Sequence, residues 1–202
     1  MTRGWIHSRR VPFAAALLPV LLSAAIPGQA GRQRPPREET AVFAGGCFWG
    51  VESVFEHVVG VRSATSGYSG TTGQVESVRV LFDPSRVTYR QLLQVFFLVA
   101  HDPTQRDKQG PDAGPEYRAI VFYRDSIQRL AAESTVADLA ARRVFSRPIV
   151  TEIGRLHDFR PAEAFHQHYA ERHPNDPYIV ANDAPKLERL RQLFPALYAP
   201  EP

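Results

Sequence analysis

A pair of glycines between a short apolar run and a helical pattern most constrains how this chain folds. Residues Ala41–Ala44 form an apolar run typical of a strand, and Gly45 and Gly46 interrupt it. The next segment, Phe48–His57, places its apolar side chains on one face of a helix. Because two glycines allow a sharp change of backbone direction, we expect a strand to turn directly into a helix at Cys47.

The rest of the sequence alternates short β-like runs with longer helical patterns and contains no internal repeat. The predicted strands are Val61–Tyr68, Val75–Phe82, Tyr117–Tyr123 and Ile149–Ile153. The predicted helices are Tyr89–Ala100, a helix from Asp125 to about Arg143, Ala162–Arg172 and Lys186–Leu193, and His101–Pro115 is predicted to be a surface loop. With 202 residues, 44% of them hydrophobic, the chain has enough apolar surface for one mixed α and β domain, expected over residues 40–202.

The first thirty residues are typical of a secretory signal peptide. They combine a basic start with an apolar run from Val11 to Ile26 and small residues before a possible cleavage site after Ala30. The run is short for a membrane-spanning helix, so we expect an exported protein, periplasmic or extracellular, with an N-terminal membrane anchor as the alternative. Gly31–Glu39, rich in Pro and Arg, is expected to be a flexible segment before the domain.

The positive charge of the chain also lies in this leader. The formal net charge is +3, and residues 1–30 contain three arginines and no acidic residue. The remaining chain is therefore neutral, and nothing in its charge favours a nucleic-acid partner.

Cys47 is the only cysteine, which excludes an intramolecular disulfide and any zinc site built from several thiolates. A lone cysteine is most often an inert, buried side chain. At the first turn of a helix, however, free N–H groups and the helix dipole favour the thiolate, so we predict a nucleophile. Phe48 and Trp49 either wall a small apolar pocket beside it or pack into the core, and the pattern alone leaves both possibilities open.

Several stretches, in order, resemble the peptide methionine sulfoxide reductase A family. The resemblance begins with the run Ala44–Glu52 (AGGCFWGVE) and covers essentially the whole of Ala41–Tyr169. The further stretches that carry it are Ser66–Gly70, Thr72–Glu76, His101–Thr104, Gln109–Asp112, Tyr117–Arg118, Pro148–Ile153 and Ala162–Gln167. The resemblance implies a two-layer α/β sandwich around a mixed β-sheet.

The resemblance also implies an activity, the reduction of the S epimer of methionine sulfoxide, free or in oxidised proteins, to methionine. Cys47 would attack the sulfoxide sulfur and become a sulfenic acid. Glu76 falls at the family's acid position, where burial would keep a carboxyl protonated near neutral pH, and Tyr117 falls at a hydroxyl that hydrogen-bonds the same oxygen.

The same resemblance assigns substrate binding to three further residues. Phe48 and Trp49 would hold the methyl group of the substrate, and Asp112 would position its backbone. No bound cofactor and no metal are implied. His166, His168 and His173 could be taken for metal ligands, but alternate residues on a helix point in different directions, so we expect no metal site there.

Two departures from the family matter for the chemistry. The chain has no second cysteine to regenerate the first, so an external thiol, such as thioredoxin or a small thiol, must reduce the sulfenic acid directly. The family usually carries an extra segment between the positions of Gly70 and Thr71, and its tyrosine, a second hydroxyl on the sulfoxide oxygen, has no counterpart here. Tyr68 matches a different family tyrosine. We expect the loss of one such donor to lower the rate without abolishing the reaction.

Two other functions remain open at this stage. The chain could be a non-catalytic descendant that binds oxidised methionine. It could also be an unrelated cysteine acyl transferase or hydrolase with His101 or His166 as the base. We expect a monomer that acts on methionine sulfoxide and repairs oxidative damage.

Overall fold

The fold is described from a computed structural model of the chain, which describes residues 1–2, 38–70 and 74–201. The chain divides into two units, Met1–Arg34 and Pro35–Pro202. The predicted signal peptide, apart from its first two residues, and the predicted flexible segment up to residue 37 lie outside the described residues. Within the described ranges, none of the helices is long and apolar enough to cross a membrane.

The second unit is built on a six-stranded mixed sheet. Its strands, in spatial order, are β7 (Glu152–Arg155), β6 (Ala119–Tyr123), β1 (Glu39–Gly45), β3 (Val75–Phe82), β2 (Val61–Ser69) and β8 (Arg160–Pro161). Only the β6–β7 pair is parallel, and the other neighbours are antiparallel. A separate two-residue hairpin, β4 (Lys108–Gln109) and β5 (Asp112–Ala113), lies in the predicted surface loop. The mixed sheet implied by the resemblance is therefore confirmed.

Helical segments connect the strands and cover the sheet. They are α1 (Phe48–Glu56), α2 (Tyr89–Val95), a π-helical turn (Phe96–Ala100), a 3₁₀ turn (Pro115–Tyr117), α3 (Ser126–Ala141), α4 (Tyr169–Arg172), a second π-helical turn (Ile179–Asp183) and α5 (Ala184–Leu193). The predicted caps are present, since Thr88 and Gln91 form a capping box on α2 and Asp125 caps α3. The polar caps that the sequence supplies therefore fix where these helices begin.

The central strand β1 separates two hydrophobic clusters because its side chains alternate across the sheet. Phe43 faces the helices, and its ring stacks between Phe55 at 5.0 Å and Phe96 at 4.9 Å. Val42 and Ala44 face the other side, where they pack in a smaller cluster with residues that include Phe122. The large cluster between sheet and helices anchors α1, and therefore the residue at its start.

Two predicted elements differ from the structure. The helix predicted over Ala162–Arg172 is wrong for most of its length, because His168 adopts a left-handed backbone with φ of 53° and only Tyr169–Arg172 is α-helical. The backbone N–H of His168 is bound instead by the buried carboxylate of Glu52, at 2.9 Å. This long-range contact overrides the local helical pattern.

The strands near residues 117 and 149 are shifted from their predicted positions. The predicted strand Tyr117–Tyr123 begins only at Ala119, since Tyr117 ends the 3₁₀ turn. The predicted strand Ile149–Ile153 is replaced by Glu152–Arg155, and the N–H of Val150 donates to the carbonyl of Pro103 at 2.8 Å. In both cases the strand begins two or three residues after the position that the sequence pattern predicts.

The glycine at the strand-to-helix turn has a testable role in stability. Gly46 has φ of 87°, and a Cβ at this position would lie 2.4 Å from Cβ of Gln109. We expect Gly46→Ala to lower the free energy of unfolding by about 2–4 kcal/mol, measured by urea denaturation. Gly154→Ala, where the added Cβ would be 3.6 Å from its nearest neighbour, is the control and should change stability by less than about 1 kcal/mol. Equal losses in the two variants would contradict this account.

Candidate active site

Cys47 lies where β1 turns into α1, as the two glycines predict. It is the N-cap residue of α1, with φ of −51° and ψ of 121°, and its side chain is buried, with 9% of the residue exposed. Cys47 is among the residues that line a cavity of about 560 Å³. The position is therefore that of a largely buried residue at the wall of a cavity, as a nucleophile requires.

The resting thiol is neutral. Burial, together with the smaller effects of the charges of Glu76 and Asp183, raises the pKa of Cys47 to about 12. The backbone N–H of Trp49 and the hydroxyl of Tyr178 favour the thiolate but offset only part of this effect. The prediction that the helix start makes this cysteine a thiolate is therefore wrong for the resting site. The thiol must lose its proton as it attacks.

Glu76 lies on β3 next to the start of α1. Its Oε2 accepts a hydrogen bond from the backbone N–H of Phe48 at 2.9 Å. Burial, followed by the charges of Asp112 and Glu116, raises the pKa of this carboxyl to about 7, although the Phe48 N–H acts in the opposite direction. A carboxyl with this pKa is partly protonated at neutral pH and can donate a proton.

Tyr117 and Asp112 come from the long loop that follows α2 and its π-helical turn. Burial raises the pKa of Tyr117 to about 12, and the charges of Glu76, Asp112 and Cys47 add to this rise. The Tyr117 hydroxyl is thus a neutral donor in the surroundings of both the thiol and the acid. The carboxylate of Asp112 accepts a hydrogen bond from the hydroxyl of Tyr178.

Phe48 and Trp49 have different surroundings. Phe48 is buried in the main core, and its ring lies 5.6 Å from that of Tyr68 and 5.1 Å from that of His166. Trp49 is only partly buried. Its ring stacks on Tyr169 at 3.8 Å, and its Nε1 donates to Nδ1 of His166 at 3.2 Å. The indole is therefore fixed from two directions and remains partly exposed.

Tyr178 is a functional candidate that the sequence analysis did not identify. Its hydroxyl donates a hydrogen bond to the carboxylate of Asp112 and lies close enough to Cys47 to influence the pKa of the thiol, and burial raises the pKa of Tyr178 strongly. It lies 131 residues after Cys47, just before the second π-helical turn, which also brings the buried carboxylate of Asp183 close to the start of α1. No local sequence pattern identifies a tyrosine so far from Cys47 as a site residue. The one signal in the sequence is the Pro177–Tyr178 pair, which interrupts the polar run before it.

His101 is not placed to act as the base considered as an alternative. Both ring nitrogens of His101 are engaged, Nδ1 with the carbonyl of Phe96 and Nε2 with the hydroxyl of Thr151, each at 2.9 Å. Burial lowers the pKa of His101 to about 4, so its role as a base for Cys47 is wrong. In the part of the chain that the structure describes, no group of three or more His, Cys, Asp or Glu side chains could hold a metal ion.

The pairing of β2 with β3 places a tyrosine opposite the acid. Tyr68 on β2 is the register partner of Glu76 on β3, and burial, followed by the charges of Glu163 and Glu76, raises the pKa of the Tyr68 hydroxyl. Residues 71–73, where the sequence lacks the family's extra segment, lie outside the described residues. Among the described residues of this hairpin, Tyr68 is therefore the tyrosine that lies opposite Glu76.

Comparisons with known proteins point in one direction. The family model described as "Peptide methionine sulfoxide reductase" matches residues 39–197. Peptide methionine sulfoxide reductase MsrA 2 of Mesorhizobium japonicum is 49% identical over 181 residues, which cover 83% of this chain and 93% of that protein. Methionine sulfoxide reductase A of Corynebacterium diphtheriae has a similar structure, with a TM-score of 0.60 and 30% identity over 70% of this chain and 78% of that one. Mxr1 of Saccharomyces cerevisiae, solved in complex with Trx2, has a TM-score of 0.51 and 22% identity over 70% and 91% of the two chains.

The electrostatic coupling between Cys47 and Glu76 can be tested by alkylation. At about pH 9 the Glu76 carboxyl is ionised and its charge raises the pKa of the thiol, so Glu76→Gln should speed alkylation by iodoacetamide roughly threefold to tenfold. At about pH 5.5 the carboxyl is protonated, and the variant and the parent should react at similar rates. Glu152→Gln, a change at an exposed residue of β7, is the control. A variant that is faster by the same factor at both pH values would show that the carboxylate charge is not the cause.

Proposed function

The chain belongs to the peptide methionine sulfoxide reductase A family, and we propose how its site performs the reaction of that family. The protein is an oxidoreductase, a peptide-methionine (S)-S-oxide reductase, that converts methionine sulfoxide to methionine. One observation carries the proposed mechanism: Cys47 and the protonatable Glu76 meet at the start of one helix. The unrelated acyl transferase or hydrolase is excluded by the family, and the retained cysteine and acid favour an enzyme over a non-catalytic binding protein.

In the first half of the reaction the sulfur of Cys47 attacks the sulfur of the sulfoxide. Two electrons pass from Cys47 to the substrate, the bond between sulfur and oxygen of the sulfoxide breaks, and methionine leaves. The oxygen and one proton remain on Cys47 as a sulfenic acid. Since the thiol loses one proton and the oxygen gains one, no external proton is needed.

Glu76 moves that proton. Its neutral carboxyl donates to the sulfoxide oxygen, which makes the substrate sulfur more electrophilic, and the resulting carboxylate accepts the proton that the thiol releases. While Glu76 is protonated, its charge does not oppose ionisation of Cys47. Tyr117 supplies a second neutral donor to the oxygen. The Tyr178 hydroxyl, which donates to Asp112, lies near the thiol and lowers its pKa, which favours the thiolate as it forms.

The aromatic residues after Cys47 form the substrate side of the site. The methyl group of methionine sulfoxide is small and apolar, and it lies against Phe48 and the exposed part of Trp49. Because Tyr169 and His166 hold the indole, this surface does not need to be ordered when the substrate binds. Asp112, hydrogen-bonded to Tyr178, positions the substrate backbone. The substrate is methionine sulfoxide, free or in oxidised proteins.

An external thiol completes the cycle, because the chain has one cysteine and the sulfenic acid has no partner thiol within the protein. A thioredoxin is one candidate. Mxr1, whose fold this chain shares, was solved in complex with Trx2, which supports a partner of that kind. A small thiol is the other candidate. No bound cofactor is required in either case, and we propose a monomer.

Single-turnover chemistry tests the mechanism. Without any thiol, the protein should release one methionine per Cys47 from the S epimer and none from the R epimer, and dimedone should then label Cys47. Cys47→Ser should release none. Glu76→Gln should slow this burst by roughly a hundredfold or more with its amplitude unchanged, and the rate of the parent should fall as the pH rises through about 7 because the acid loses its proton. A burst of normal rate in Cys47→Ser would remove the assigned nucleophile.

Location is a separate proposal. The basic, apolar leader of residues 1–30 supports export to the periplasm or the extracellular space, where oxidised proteins would be repaired. Cell fractionation with mass spectrometry of the mature N-terminus should find the protein outside the cytoplasm and lacking residues 1–30. An intact leader on protein in the cytoplasmic fraction would contradict export, and an intact leader in the membrane fraction would indicate an anchor.

A further inference from the structure

We infer that the cavity beside Cys47 binds a small thiol that carries carboxylates, and that this thiol reduces the sulfenic acid. The inference rests on the proposed function, since it concerns the second half of the same cycle. It is carried by the position of the cavity, the charges on its walls and its size.

The cavity beside Cys47 does not include the aromatic surface among its walls. Cys47, Asp112 and Tyr178 line it, together with the polar side chains of Gln105 and Asn182. None of the residues assigned to the methyl group or to the sulfoxide oxygen lines it, namely Phe48, Trp49, Glu76 and Tyr117. Cys47 therefore borders a second space, and among the residues assigned to the first half of the reaction only Asp112 and Tyr178 also line it.

Cationic side chains from two separate segments line this space. Arg147 comes from the loop before β7, and Lys186 and Arg189 lie one turn apart on α5. Arg147 contacts Asp102 at 3.5 Å in an exposed pair, and Lys186 contacts the buried Asp183 at 3.1 Å. Within the described residues, Arg189 has no acidic partner.

These charges favour a ligand with more than one carboxylate. Arg189 is free to bind one carboxylate, and Arg147 can bind another because its exposed pair with Asp102 is weak. The volume of about 560 Å³ fits a ligand of tripeptide size and is far too small for a folded protein. The polar walls supply hydrogen bonds for peptide groups. A peptide-like thiol with two carboxylates, of which glutathione is an example, matches all three properties.

The chemistry balances with two molecules of such a thiol. The thiolate of the first attacks the sulfur of the Cys47 sulfenic acid, a disulfide bond forms, and the hydroxyl leaves as water after gaining a proton. A second thiol attacks the ligand sulfur of this mixed disulfide. Cys47 leaves as a thiolate and is protonated, and the oxidised thiol departs as a disulfide. The two thiols supply the two electrons, so no further reductant is needed.

The test isolates the second half of the cycle. The protein is first converted to the sulfenic acid with one equivalent of the S sulfoxide, and it is then mixed with glutathione or with glutathione whose two carboxylates are esterified. Rates are compared per thiolate, by the loss of dimedone-reactive Cys47. We expect the rate with glutathione to saturate with concentration and to exceed that of the diester roughly tenfold at low concentration. Arg189→Gln and Arg147→Gln should each lower the rate with glutathione by about threefold to tenfold, and each should leave the rate with the diester unchanged.

The controls separate this inference from the proposed function. Arg129→Gln on α3, an exposed arginine that does not line the cavity, should behave as the parent does. Equal rates per thiolate for glutathione and the diester, or variants that slow both thiols alike, would overturn the inference. Slower methionine release in the arginine variants would also overturn it, because that result would show that these arginines bind the substrate peptide. Failure to release any methionine in the first step would instead refute the proposed function.

Discussion

The hydrogen bond from the Phe48 N–H to the carboxyl of Glu76 is the contact on which the site depends. It joins β3 to the first turn of α1, so the acid and the nucleophile are fixed by the same helix start. Both groups are buried, and burial disfavours the charged form of each. The negative charge of Glu76 raises the pKa of Cys47 further. The resting site therefore combines a neutral thiol with a carboxyl that is partly protonated at neutral pH.

This arrangement explains how a thiol with a pKa of about 12 can be a nucleophile. A permanently ionised thiolate would be open to any oxidant, whereas a neutral thiol reacts when its proton has somewhere to go. In the proposed mechanism the sulfoxide oxygen supplies that place, because it takes the proton of Glu76 and leaves a carboxylate ready for the proton of Cys47. The thiolate would then form only as the new bond forms. Selectivity for sulfoxides would follow from proton transfer as well as from the shape of the aromatic surface.

Local sequence patterns predicted the parts of the fold that depend on local interactions. The strand, the glycine pair and α1 follow from periodicity and backbone freedom, and the caps of α2 and α3 follow from side chains within one turn. The helix expected over Ala162–Arg172 was wrong because the carboxylate of Glu52, more than a hundred residues away, binds the N–H of His168. The place of Tyr178 in the site is not predicted either, because it also depends on a contact between residues far apart in the sequence, here with Asp112. The pKa of Cys47 was misjudged because the helix start is visible in the sequence and the depth of burial is not. The cavity beside it requires segments from opposite parts of the chain.

The absence of a second cysteine changes what the protein must provide. In a chain that carries its own resolving thiol, loop motion brings that thiol to the sulfenic acid, and the effective concentration is set by the loop. Here the reductant is a separate molecule, and a binding site is the means by which the protein can raise its local concentration at Cys47. A site that overlapped the methyl-binding surface would compete with the next sulfoxide. Because Cys47 lines the cavity and Phe48 and Trp49 do not, the proposed reductant site and the proposed methyl-binding surface would be separate surfaces next to one residue.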